Sequence, residues 1–197
     1  MIKAIVFDWG GVIVYPVTRR IAKEVQERFG IDENKVVEVY HSDLLRYEKG
    51  EVSSQDFWKN FCDKLENKLT TDDIKNIIST AEKERPGMIE CIKKLKQHYK
   101  VALLSNNNDF MVDFIRKNFD ISFFYPAIFS NEVGITKPDK RIYLLTARRL
   151  GVKPKECLFV DDNIKNIKGA RDVGMKAVHF EDYKSFKDEL DSILKQS

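Results

Sequence analysis

Three apolar runs in this chain stop at polar side chains able to do chemistry. Ala4-Ile5-Val6-Phe7 stops at Asp8, and Trp9, Gly10 and Gly11 follow at once. Val101-Ala102-Leu103-Leu104 stops at Ser105-Asn106-Asn107, and Cys157-Leu158-Phe159-Val160 stops at Asp161-Asp162. Lys137 stands in the segment Gly134-Ile135-Thr136-Lys137-Pro138. Carboxylate oxygens are hard ligands that suit Mg²⁺ bound together with a phosphate. A lysine and backbone N–H groups suit the phosphate itself. A carboxylate aligned with phosphorus is also a nucleophile that forms an aspartyl-phosphate. Taken alone, Asp8 reads equally well as a residue capping a turn, because a short motif is only a hypothesis.

The elements that must position these groups follow from patterning. Apolar runs of four to five residues are strand length, and their continuous apolar character suits strands buried on both faces. Placing Asp8 where its strand ends avoids burying a carboxylate within the sheet, and two glycines let backbone approach closely. From residue 17 to 84 no clear strand interrupts. Ile21, Val25 and Phe29 fall at helical spacing up to Gly30. Asp32 caps a helix carrying Val36, Val37, Tyr40, Leu44 and Leu45 as far as Gly50. Ser53 or Ser54 opens another with Phe57, Trp58, Phe61 and Leu65, and Thr70 or Thr71 opens a fourth through Ile74, Ile77 and Ile78. Pro86-Gly87 marks a boundary. Beyond it helices alternate with strands at Val101–Leu104, Ala127–Phe129, Cys157–Val160 and Ala177–Phe180, and a helix from Ser185 ends the chain. That alternation implies a parallel sheet with right-handed crossovers, whose strand ends share one edge.

Composition narrows the class. Lys and Arg total 34 against 31 for Asp and Glu, a net charge of +3. That balance is no basic stripe of the kind nucleic acid requires, and no apolar run approaches the roughly 18 residues of a membrane span. The opening apolar run reads as the buried strand itself, so no signal peptide is expected before it. Cys62, Cys91 and Cys157 show no metal spacing and read as structural thiols of a reducing compartment, which points to the cytoplasm.

With these four segments in this order, the chain resembles the haloacid-dehalogenase-like (HAD) hydrolase superfamily over essentially its whole length. The first motif of that family, an apolar strand ending Asp-x-Asp-Gly-Val/Thr, stands here as Asp8-Trp9-Gly10-Gly11-Val12. Ser105 takes the place of the Ser or Thr of the second motif. Lys137 with Pro138 matches the third, and Asp161-Asp162 the acidic pair of the fourth. The resemblance implies a Rossmann-like, doubly wound α/β fold with a five-stranded parallel sheet of order 3-2-1-4-5. It places the core at 1–16 and 85–197 and an inserted helical cap at 17–84. It also implies roles. Asp8 attacks phosphorus and binds Mg²⁺, and the Gly10 carbonyl and Asp162 bind the same ion. Asp161, the neighbour of Asp162, is counted with the metal-binding residues and orients water or Lys137. Ser105 and the Asn106 amide hold phosphate oxygens, Lys137 neutralises charge, and Trp9 lines or shields the site. Asn166, one turn beyond Asp162, faces the ion or lies on a solvated helix face. The substrate is a small phosphorylated molecule bound by a monomer or homodimer, with neither nucleic acid nor membrane as partner.

One position departs from the pattern. Phosphatases of the family usually carry a second Asp two residues after the nucleophile, as the general acid and base, and here that residue is Gly10. Such help is worth roughly 10²–10⁴-fold in rate. Either another group, such as one of the cap, supplies it, or the leaving group needs little protonation, or the chain is a nearly inactive phosphate-binding regulator. Relatives with Gly at this position resemble sugar-phosphate phosphatases. Dehalogenases of the family also lack the second Asp, which makes a 2-haloacid dehalogenase the alternative enzyme. Their fourth motif carries serines, however, and two adjacent carboxylates without a cation repel each other and the nucleophile. In and just before the helical stretch, Tyr15, Arg19, Arg20, His41, Arg46 and Trp58 read as packing or solvated surface, as do His98 and His179 elsewhere.

Overall fold

The computed structural model describes residues 1–195. Strand β1 (Ala4–Phe7) is followed by five helices: α1 (Thr18–Phe29), α2 (Glu33–His41), α3 (Leu44–Glu48), α4 (Ser54–Lys64) and α5 (Thr71–Ala81). The chain then alternates through α6 (Met88–Leu95), β2 (Lys100–Ser105), α7 (Asp109–Asn118), β3 (Ala127–Phe129), α8 (Ser130–Val133), α9 (Lys140–Leu150), β4 (Cys157–Asp161), α10 (Ile164–Asp172), β5 (Lys176–His179) and α11 (Tyr183–Lys195).

The five strands form one parallel sheet of order β3-β2-β1-β4-β5, the order that the resemblance implies. All four residues of β1 are fully buried, because helices cover both faces of the sheet. Ile5 and Phe7 point to one face, where they pack with Met88 and Ile92 of α6 and Phe186 and Leu190 of α11. Ala4 and Val6 alternate to the other, against Ile142 and Tyr143 of α9 and Ile167 of α10.

The helical stretch builds an apolar cluster of its own. Ala22, Val25, Trp58, Phe61 and Ile77 pack together in it, and Met111 of α7 joins them from beneath. Two passages of chain run side by side where it meets the sheet. Tyr15 N donates to Lys83 O at 3.0 Å and Arg85 N to Ile13 O at 2.8 Å.

The cap signals written in the sequence are used. Asp32, Ser53 and the Thr70/Asp73 capping box start α2, α4 and α5, and Gly30 ends α1 at φ 67°. Strand ends shift by a residue, as in β5, expected at Ala177–Phe180 and found at Lys176–His179, and two helix boundaries also differ from expectation. The single helix expected from Asp32 to Gly50 is broken into α2 and α3, because the Ser42 hydroxyl donates to the Val39 carbonyl at 2.7 Å and competes with the helical ladder. The final helix starts at Tyr183 rather than Ser185, since Asp182 Oδ1 accepts from both Lys184 N and Ser185 N. Among the described residues no helix is long and apolar enough to cross a membrane.

Candidate active site

Because β2, β1 and β4 are neighbours, the residues at their C-terminal ends meet at the middle of one sheet edge. Asp8 continues β1 by one residue, its N–H donating to Val160 O at 2.9 Å. Its Oδ1 accepts from Trp9 N at 2.7 Å. Lys137 Nζ lies between two carboxylates, 2.8 Å from Asp8 Oδ1 and 2.6 Å from Asp161 Oδ2. Asp161 is fully buried. Asn163 N donates to its Oδ1 at 2.8 Å, and Asn166 Nδ2 donates to its two oxygens at 3.0 and 3.1 Å. Oxygen atoms of Asp8, Asp161 and Asp162 all lie within 4.8 Å of one another.

This crowding sets the protonation chemistry. Burial raises the Asp8 carboxyl well above the usual range, with Asp161 and Asp162 adding to it while Lys137 opposes. Burial and Asp161 push Asp162 up as well. Burial alone would lower the Lys137 ammonium, but Asp161 and Asp8 hold it up. Three hard carboxylates against one ammonium leave an excess of negative charge, and the donor set is oxygen alone. Both properties fit a small divalent cation such as Mg²⁺.

Several neighbours hold this arrangement in place. Asn106 exchanges two hydrogen bonds with the Lys137 backbone: its Oδ1 accepts from Lys137 N at 2.8 Å and its Nδ2 donates to Lys137 O at 3.0 Å. Gly169 on α10 lets Pro138 come close, since a Cβ there would stand 2.8 Å from Pro138 O. His179 Nε2 meets the Asp162 carbonyl at 2.8 Å. The Asn106 side-chain amide, expected to hold phosphate oxygens, is instead engaged with the Lys137 backbone through both its oxygen and its nitrogen. The Asn166 amide faces Asp161.

Above the cluster is a cavity of about 390 Å³, within the range of small-ligand sites. Asp8, Gly10, Ser105, Lys137 and Asp162 line its floor, and Tyr40, Glu48, Trp58 and Glu82 its roof. Trp9 reaches it too, although its ring is buried edge-on against Phe119 at 5.0 Å. Burial pushes both Glu48 and Glu82 up to about 7, with Lys137 pulling Glu48 down and the Trp9 indole and Arg20 pulling Glu82 down. The Trp9 Nε1 and the Glu82 Oε2 are both buried and stop short of a full hydrogen bond.

Asp8, Trp9, Gly10, Ser105, Asn106, Lys137 and Asp162 thus all line one cavity, with Asp161 buried behind Lys137. Of the aromatic and charged residues weighed in the helical stretch, Trp58 lines it. Arg20 instead donates to Ala81 O at 2.7 Å, and Arg46 pairs with Asp43 at 3.4 Å. Sequence reasoning missed Glu48 and Glu82. Each stands at the end of an amphipathic helix, where a glutamate beside a lysine carries the signature of solvated surface.

A parallel 3-2-1-4-5 sheet with a carboxylate cluster at its central edge and a helical unit above it defines a Rossmann-like, doubly wound α/β architecture. The sequence model of the haloacid dehalogenase-like hydrolases matches residues 2–174, and the chain belongs to that family. It is 29% identical to a D-ribitol-5-phosphate phosphatase of Bacteroides thetaiotaomicron, over 98% of this chain and 99% of that protein. It is 26% identical to acyl-CoA dehydrogenase family member 10 of Mus musculus over 98% of its own length, but spans only 19% of that protein. A crystal structure of a HAD family enzyme from Bacteroides thetaiotaomicron, in complex with magnesium and inorganic phosphate, superposes with a TM-score of 0.80 at 24% identity. The match covers 94% of this chain and 99% of that one, and the likeness is one of fold.

Proposed function

We propose that this chain is a Mg²⁺-dependent phosphatase that hydrolyses a small phosphorylated metabolite, a sugar or polyol phosphate, through an aspartyl-phosphate on Asp8. Its class is that of the phosphoric monoester hydrolases. The observation that carries the reading is the cluster itself: Asp8, Asp161 and Asp162 within 4.8 Å around one buried lysine. Asp8, Asp162 and the Gly10 carbonyl would hold Mg²⁺, with Asp161 behind them. The ion, when bound, offsets the negative charge shared by the carboxylates and the phosphoryl oxygens.

Asp8 is the nucleophile, fixed by Trp9 N and Lys137 Nζ. Ser105 and the Asn106 N–H hold phosphoryl oxygens, and Lys137 offsets the charge that gathers as Asp8 attacks. Asp161 keeps Lys137 in position. The helical unit 17–84 acts as a cap, and its aromatic side chains Tyr40 and Trp58 offer an apolar wall to the carbon skeleton of the leaving group. The relative named D-ribitol-5-phosphate phosphatase, aligned over nearly the full length of both chains, supports the sugar or polyol class. A dehalogenase, which attacks carbon, has no use for three clustered carboxylates.

Hydrolysis of para-nitrophenyl phosphate and of a panel of sugar and polyol phosphates, with Mg²⁺ and with EDTA, tests the reading. Turnover is expected to require Mg²⁺ and to vanish in Asp8→Asn. Folded protein that turns over none of these, or that releases chloride from a 2-haloacid without metal, overturns it.

A further inference from the structure

We propose that Glu48 supplies the general acid that Gly10 cannot, delivering its proton from the cavity roof to the leaving oxygen. This rests on the phosphatase reading above. In-line displacement sets the leaving oxygen on the side of phosphorus opposite Asp8, hence toward the roof. Four other ionisable groups of the cavity fit the role less well, and a fifth, Lys165, stands on α10 after β4. Lys137 is held by Asp8 and Asp161. Asp162 belongs to the carboxylate cluster. The Tyr40 phenol is buried and kept protonated. Glu82 answers to the Trp9 indole and Arg20 rather than to Lys137.

Glu48 differs from all of them in what anchors it. The Ser130 hydroxyl donates to the Glu48 carbonyl at 2.6 Å and accepts from Asn107 N at 2.9 Å. One hydroxyl thus ties the end of α3 to the loop that carries Ser105 and Asn106. Gly50, at φ 72°, lets the following turn press onto α8, where a Cβ would stand 2.8 Å from Asn131 O. The backbone of Glu48 is therefore fixed to the phosphate-binding side of the site, although 40 residues separate it from Asp8 in sequence. Glu48 lines the cavity, and its carboxyl senses Lys137. The ionisable groups facing it are Lys137 from the loop before α9, Tyr40 of α2 and, beyond Tyr40, Glu82. A carboxyl raised to about 7 exchanges its proton readily near neutral pH.

The proton balance closes over two steps. Asp8 carboxylate attacks phosphorus as the P–O bond to the alcohol breaks, and Glu48 transfers its proton to the alkoxide to release a neutral alcohol. Glu48 carboxylate then takes a proton from water as that water attacks phosphorus. The acyl-phosphate P–O bond breaks, Asp8 returns as carboxylate, and hydrogen phosphate leaves.

The readout is a ratio of kcat/KM, for an alkyl phosphate such as a polyol phosphate over para-nitrophenyl phosphate, with Mg²⁺ present. An aryl leaving group needs little protonation, and kcat/KM isolates the first chemical step. Glu48→Gln is expected to lower the ratio by about 10²–10⁴-fold and to remove the fall in alkyl-ester kcat/KM above about pH 7. Gly10 has open space, with nothing within 4 Å of a built Cβ, so Gly10→Asp placed on Glu48→Gln is expected to restore the ratio. A Glu48→Gln ratio within about tenfold of wild type, or a selective fall in Glu82→Gln instead, overturns the assignment. A wild type that hydrolyses neither ester overturns the phosphatase reading, which is a separate failure.

Discussion

The carboxylate of Asp162 rests against the backbone of Gly11: a Cβ on Gly11 would stand 1.9 Å from Asp162 Oδ2. Gly11 also has φ of +80°, where a side chain is strained regardless of space. The second glycine after Asp8 therefore makes room for a carboxylate that arrives 151 residues later. Gly11→Ala is expected to cost about 1–3 kcal/mol from the backbone alone and to displace Asp162 from the cluster. Thermal melts with and without Mg²⁺ check this, and an Ala variant that binds Mg²⁺ like wild type would sink it.

Lys137 is an ammonium held between two buried carboxylates, with a side chain 1% exposed. Lys137→Met leaves Asp8 and Asp161 uncompensated, and breaking a buried pair in this way costs about 3–5 kcal/mol. Urea unfolding at pH 7 measures it. The deficit is expected to shrink as pH falls, because protonating either carboxyl relieves the unpaired charge.

Mg²⁺ should stabilise the fold by binding where three carboxylates repel. At one hundred times its dissociation constant a ligand adds about 2.7 kcal/mol, which for a chain of this size is a rise in Tm of roughly 5–10 °C. Asp162→Asn is expected to lose most of that rise and Glu90→Gln, on the exposed face of α6, none of it. An equal rise in Asp162→Asn would place the ion elsewhere.

Glu82 gives a pH signature of its own. The folded chain holds its proton up to about 7, whereas the unfolded chain releases it around 4.5. Between those values the folded state binds the extra proton, so stability falls as pH rises through this window and stays lower above it. Glu82→Gln keeps the shape without the ionisation. It is expected to match wild type at pH 4 and to exceed it by about 1–3 kcal/mol at pH 8. Differential melting across that range is the measurement, and parallel curves would exclude an ionising Glu82.

Sequence alone determined the sheet strands and the polar residues that stand at their ends. A short apolar run that stops at a polar residue is a local signal, and three of them, at Asp8, Ser105 and Asp161, stand at strand ends. The motifs then identified the family and, through it, the strand order. Local capping determined where α1, α4 and α5 begin or end. Tertiary structure decided which way the amides face: the type Asn does not reveal that Asn106 braces the Lys137 backbone or that Asn166 braces Asp161. It also decided the roof. Glu48 ends a helix whose exposed neighbours promise solvent, and it is held over the site by Ser130, 82 residues away. A side chain's burial and the charges it faces depend on contacts between distant segments, and no local pattern of residues encodes them.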